Sequence, residues 1–149
     1  MLARVSPREP CSTEFNIDWE FPTATDTQHF TLLLKEFRNQ LDALGKTNGE
    51  DYLLSFDGPA GEQNYSNIEL AKAAKPVDFI TIDGYNYNGT WENVANHASP
   101  LFDSKQDPEF GQGLYIDFTA DAYLAAGVPP PSTSWACPFM AGAGRAFPT

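Results

Sequence analysis

Asp18 and Glu20 are the residues of this chain whose types and spacing point first to chemistry. They stand two apart in "EFNIDWEFP", where Phe15, Ile17, Trp19 and Phe21 alternate with Asn16, Asp18 and Glu20. Alternation of this kind reads as a strand with one apolar and one polar face. Two carboxylates at i and i+2 share a face, repel, and raise one another's pKa. That arrangement keeps one carboxyl protonated as a general acid beside a charged neighbour. Trp19 points the other way and reads as core. The competing reading of the pair is a solvated strand face.

The elements around the pair decide where it points. In "TATDTQHFTLLLKEFRNQLDALGK", Phe30, Leu33, Leu34, Phe37, Leu41 and Leu44 recur at helical spacing, with Thr25 and Gln28 as a capping box and Gly45 as the stop. "DYLLSFDGPAG" reads as a buried strand, "NIELAKAAKP" as a short helix ended by Pro76, and "VDFITIDGYNY" as a third strand. A long polar loop follows. Then come a helix in "TADAYLAAG", capped by Thr119 and stopped by Gly127, and a last strand in "STSWACPF". Strands alternating with helices imply an α/β fold with a parallel sheet and helices packed outside. In such folds chemistry gathers at the C-terminal ends of the strands. Asp18 and Glu20 fall at the end of the first strand, and Tyr85 and Asn86 at the end of the third.

Bulk properties narrow the partners. The chain has 149 residues and a net charge of −11, with 9 basic and 20 acidic side chains. Phosphate neutralisation needs clustered Lys and Arg, so the balance opposes nucleic acid and anionic membrane and suits a neutral partner. No apolar run is long enough to span a bilayer. "MLARVSPREP" has charges and prolines where a signal peptide needs an apolar core. Cys11 and Cys137 lack metal-type spacing and read as free thiols; a disulfide between them is the alternative. Asn64 in "NYS" and Asn88 in "NGT" match the glycosylation sequon.

Several segments together carry a resemblance: "NIDWEFP", "LLLKEFRNQLDALGK", "YLLSFDGPAGEQNY", "VDFITIDGYNYNGTWE", "HASPLF" and "AYLAAGVP". In combination the chain resembles a glycoside hydrolase family 18 chitinase. The resemblance implies a partial (β/α)8 TIM barrel, roughly strands four to seven, over residues 15–149, with residues 1–14 an irregular, unrelated segment. It implies hydrolysis of β-1,4-linked N-acetylglucosamine in chitin or chitooligosaccharides, no cofactor and no metal, and an extracellular setting. The family is an exception to two-carboxylate glycosidase chemistry, because the substrate's acetamido oxygen attacks the anomeric carbon.

By the same resemblance, the motif Asp-x-x-Asp-x-Asp-x-Glu places the general acid on Glu20 and the acetamido-orienting carboxylate on Asp18. Its first two Asp positions fall on Thr13 and Asn16. Asn16 is expected to hydrogen-bond Asp18 without carrying charge. The pattern Met-x-Tyr-Asp is present as Asp83, Gly84, Tyr85 and Asn86. Tyr85 is implied to hold the acetamido oxygen, Asn86 to contact sugar in place of an Asp, and Asp83 to add a charge where the family has a pocket-floor Met. Trp91 matches an aromatic platform for a sugar ring, its alternative being a loop Trp buried under the long segment that follows. His97 reads as a structural loop residue. The last family motif is broken, with Met140 in place of Tyr and Arg145 displaced. Retained Glu20 favours an enzyme. The departures favour a chitinase-like carbohydrate-binding protein, and four strands with two unpaired edges also fit a truncated, non-functional chitinase.

Overall fold

The computed structural model describes residues 13–130 and the strand at 133–136. The elements run β1 (Glu14–Ile17), α1 (Thr27–Asn48), β2 (Leu53–Gly58), α2 (Glu62–Tyr65), α3 (Leu70–Ala73), β3 (Phe79–Asp83), α4 (Ile116–Ala125) and β4 (Thr133–Ala136). The four strands form one parallel sheet in the order β1-β2-β3-β4. Sequential parallel neighbours joined by helices are the outcome the alternating pattern predicts.

The sheet has two unlike faces. Leu54, Phe56, Ile80 and Ile82 are fully buried against Phe30, Leu34 and Leu41 of α1, Leu70 and Ala73 of α3, and Tyr123 of α4. Phe30 meets Phe56 edge-on at 5.3 Å between ring centroids, and Trp19 meets Phe30 at 5.9 Å, so Trp19 belongs to the core as expected. The intervening positions carry Glu14 and Asn16, Ser55 and Asp57, and Thr81 and Asp83. The register puts Glu14 opposite Leu53, Asn16 opposite Ser55, and Asp57 opposite Thr81. Period-two alternation gives these side chains the face away from the helices. Ser55 donates to the Glu14 carboxylate at 3.3 Å across that face.

Helix α1 corrects two expected boundaries. Its entry turn is closed by Asp26, whose Oδ2 accepts the Thr23 N–H at 3.0 Å and the Thr23 hydroxyl; this pair takes the place of Thr25 and Gln28. The helix runs through Gly45 and stops at Gly49, which has φ 76° and donates its N–H to the Gly45 carbonyl at 2.8 Å. Gly45 answers a different need. A Cβ there would lie 2.4 Å from the Glu50 carbonyl oxygen, so only glycine permits the returning chain to pass so closely. Arg38 ties the helix to the sheet, donating to Asp78 at 3.1 Å and to the Tyr52 carbonyl at 2.7 Å.

Helix α4 begins three residues before the expected cap. Thr119 is internal and fully buried, sharing a hydrogen bond with the Tyr87 hydroxyl at 2.7 Å and donating to the Ala60 carbonyl at 2.9 Å. Tyr123 donates to the Pro59 carbonyl at 3.0 Å. Burial pushes its pKa far above the ordinary tyrosine value. These hydroxyls fasten α4 to the segments that leave β2 and β3. Gly127, at φ 92°, stops the helix as the sequence suggests. Cys11, Cys137, Met140 and Arg145 lie outside the described residues. Among the described residues, no helix is long and apolar enough to cross a membrane.

Candidate active site

The ladder between β1 and β2 ends at Ile17 opposite Phe56, earlier than the alternation in the sequence suggests. Asp18, Trp19 and Glu20 therefore continue past the strand, and Asp18 and Glu20 are solvent-exposed. Tyr85 and Asn86 follow β3 in the same way. The peptide bonds Glu20–Phe21 and Tyr85–Asn86 are both cis.

A cleft of about 840 Å³ opens at this end of the sheet. Glu20 and Phe21 enter it from β1, Glu62 and Gln63 from α2, Asp83, Tyr85 and Asn86 from β3, and Trp91 from the following loop. Five expected site residues, Glu20, Asp83, Tyr85, Asn86 and Trp91, thus meet in one place. Asp18 and Asn16 lie outside its lining. The lining carries the carboxylates of Glu20, Glu62 and Asp83 and no Lys or Arg. Its apolar surfaces and hydroxyl and amide groups suit a neutral polyol.

The carboxyl that stands out is Asp83. It is 8% exposed, and its pKa is pushed from 3.8 to about 6. Burial is the larger cause, and the negative charge of Asp57 is the next; a hydrogen bond from Tyr85 opposes them, while Asp18 and Glu20 add repulsion. Burial is the largest cause that raises the Tyr85 phenol above its ordinary value, followed by the charge of Asp83, with Asp57 and Glu20 adding to it.

Asn16 departs from expectation. Its Nδ2 donates to Asp57 Oδ1 at 3.0 Å, on the neighbouring strand, and this is the bond that takes the place of one to Asp18. Asp57 is not among the residues to which the sequence motifs point. Its signal is there in "LLSFDGP": Ser55 and Asp57 sit out of phase with Leu54 and Phe56, and therefore on the same face as Asn16.

The loop after β3 is pinned by its own backbone. Tyr87 N–H donates to the Ala98 carbonyl at 2.8 Å, Asn88 Nδ2 to the His97 carbonyl at 3.0 Å, and the Ser99 hydroxyl to the Gly84 carbonyl. His97 thus serves the loop through its backbone. Asn88 is 3% exposed and its amide nitrogen is engaged, so its sequon is closed to modification in this fold. Trp91 is 62% exposed and is not buried under the loop. Its ring lies over Gly89, where a Cβ would come 2.3 Å from Trp91 Cζ3.

A parallel sheet with outer helices, carrying an acidic and aromatic cleft at the C-terminal strand ends, is the arrangement of a segment of a (β/α)8 barrel. A family profile for Glycosyl hydrolases family 18 matches residues 14–144, and the chain belongs to that family. It is 35% identical over 117 residues to Chitinase 1 of Aphanocladium album, a match covering 76% of this chain and 27% of that protein. It is 34% identical over 141 residues to Chitinase A1 of Niallia circulans, covering 83% of this chain and 20% of that protein. Among solved structures, chitinase ChiA74 from Bacillus thuringiensis superposes with a TM-score of 0.79 at 31% identity, covering 83% of this chain and 21% of that one. The chain therefore spans about a quarter or less of the length of these relatives. The neighbours agree with a partial barrel.

Proposed function

We propose that this chain carries the acid-bearing part of a chitinase-type catalytic domain, acting outside the cell on β-1,4-linked N-acetylglucosamine in chitin or chitooligosaccharides. The observation that carries the reading is that Glu20 and Tyr85, from different strands, line one cleft with Trp91. Glu20 protonates the glycosidic oxygen as the bond to the anomeric carbon breaks. The acetamido oxygen of the same sugar attacks that carbon and forms an oxazolinium ion, with retention after water completes the second displacement. Tyr85 donates its hydroxyl to the acetamido oxygen. Asp18, exposed and outside the lining of the cleft, turns toward the acetamido nitrogen and holds negative charge beside it, where positive charge develops. Glu20, now ionised, takes the proton of the attacking water. Trp91 offers a flat apolar face to a sugar ring, and Asn86 an uncharged amide to its hydroxyls.

The test is release of shorter oligomers from N-acetylchitotetraose, followed by mass spectrometry, for the native chain and Glu20→Gln. Release by the native chain with loss of nearly all turnover in the variant is expected. Equal release by both would remove Glu20 as the acid. A second reading, sugar binding without cleavage, is favoured by one observation: Asn16 and Asn86 are amides and cannot carry charge or take up a proton. Calorimetric binding of the tetraose without any release selects it.

A further inference from the structure

The cleft has more apolar surface than the reaction proposed above uses. Three of its large apolar side chains are exposed: Phe21, Trp91 and Phe118. Phe21 adjoins Glu20 in the chain, and Trp91 is given a sugar ring in that reading. Phe118 has no role in it. Its side chain is 39% exposed, although the next residue, Thr119, is fully buried. Phe102 and Phe110 are more exposed but lie outside the lining, so Phe118 is singled out by its place in the cleft.

The ring is held from several sides. Phe118 is the third residue of α4. Ahead of it, the Ile116 N–H donates to the Pro100 carbonyl at 2.9 Å and the Asp117 N–H to the Leu101 carbonyl at 3.1 Å. Behind it, the Thr119 hydroxyl ties the helix to Ala60 and Tyr87, and both of these line the cleft. The Phe118 ring meets the Tyr115 ring at 5.8 Å between centroids. It also lies against Gly113, where a Cβ would come 2.7 Å from Phe118 Cε1. Gly113 has φ 74°, so the chain turns there in a way that glycine permits and that leaves room for the ring. The Trp91 ring is seated over Gly89 in the same manner. Two exposed rings of one cleft thus each rest on a glycine. A ring already held in place loses little freedom when a ligand packs on it.

We propose that Phe118 is a second sugar-stacking surface of the cleft, distinct from Trp91, and takes a pyranose ring beyond the one at Glu20 and Tyr85. A phenyl group has no polar atom to offer; it presents a flat face of negative π-density to weakly positive C–H groups. A β-linked glucose-type ring carries its hydroxyls at the edge and C–H groups on its faces, which suits such a surface. Gln63 and Gln112, also in the lining, supply amide donors and acceptors for the polar edge. The cleft volume of about 840 Å³ lies in the upper part of the range for ligand pockets and exceeds the needs of one sugar ring. The consequence is a dependence on chain length: an oligomer long enough to reach Phe118 gains a contact that a shorter one lacks. The inference rests on the reading of the cleft as a chitooligosaccharide site.

The test is calorimetric affinity for N-acetylchitobiose, N-acetylchitotetraose and cellotetraose in the native chain, Phe118→Leu and Phe118→Tyr. Leucine keeps an apolar side chain against Gly113 but removes the flat face; tyrosine keeps the face. Phe118→Leu should weaken tetraose binding by about three- to tenfold, the worth of one aromatic contact, and bind the disaccharide nearly as the native chain does. Phe118→Tyr should bind both as the native chain does. No loss in Phe118→Leu, or an equal loss for both lengths, overturns the proposal.

A second measurement covers the case in which Phe118→Leu does not fold. The native chain is labelled with 4-fluorophenylalanine, and the Phe118 resonance is assigned by its absence from labelled Phe118→Tyr. Saturating N-acetylchitotetraose should shift that fluorine resonance, which a ring that only packs against Gly113 would not show. An unmoved resonance overturns the proposal. Cellotetraose has no acetamido groups. If it binds as tightly as N-acetylchitotetraose and with the same dependence on Phe118, the acetamido reading of the site falls and the stacking surface stands. Absence of binding by all three sugars overturns both.

Discussion

The amide of Asn16 donates to the carboxylate of Asp57 at 3.0 Å, joining the polar faces of β1 and β2. The bond pairs an amide donor with a carboxylate acceptor across two neighbouring strands. Asn16→Asp would set two carboxylates against one another and should destabilise the chain at pH 7 by about 1 kcal/mol, the scale of one lost hydrogen bond on a partly exposed face. Adding Asp57→Asn restores an amide–carboxylate pair with the roles exchanged. The double variant should recover most of the loss in urea unfolding. Additive losses in the cycle would show that the two side chains are not coupled.

Asp83 makes stability depend on pH in a defined direction. Its pKa in the folded chain is raised to about 6 from 3.8, so the folded state holds the proton more tightly than the unfolded state. The resulting stabilisation is complete below about pH 4 and is lost as pH rises through about 6. Asp83→Asn removes the ionisable group. The variant should match the native chain near pH 4 and exceed it at pH 7 by about 1–3 kcal/mol. Thermal unfolding at the two pH values measures the difference; a constant offset between the proteins would count against a raised Asp83.

The Trp91 ring occupies the space a side chain at position 89 would need. Gly89→Ala should therefore displace the ring without touching any polar group of the cleft. Affinity for N-acetylchitotetraose should weaken roughly three- to tenfold, as in Trp91→Ala. Calorimetry of both variants makes the comparison, and unchanged affinity in Gly89→Ala would separate the ring's position from binding.

Thr119 connects Tyr87 and Ala60 through one buried hydroxyl. Thr119→Val keeps the shape and leaves a buried phenol and a buried carbonyl without that partner, at a cost of about 1–3 kcal/mol. Thr119→Ser retains the hydroxyl and should lose less. Urea midpoints of the two variants decide whether the hydroxyl or the packing fastens α4.

Trp91 and helix α2 were not legible from local pattern, Trp91 entering only through the family resemblance, whereas the other element types, their parallel order and the strand ends beyond which Glu20 and Tyr85 stand were determined by the sequence itself. Those follow from local periodicity, which assigns each side chain to a face whatever lies across from it. It also placed Trp19 in the core and Gly127 at a helix end. Only the tertiary structure decided the partners. Strand register, not spacing along the chain, brought Asn16 to Asp57 and Asp57 toward Asp83, because cross-strand neighbours are far apart in sequence. Close approach of the chain to itself made Gly45 necessary inside α1 and moved the stop to Gly49. The return of residues 97–99 onto the loop after β3 buried Asn88 and closed its sequon, and burial, which no pattern in "TIDGYNY" displays, made Asp83 the perturbed carboxyl of the cleft.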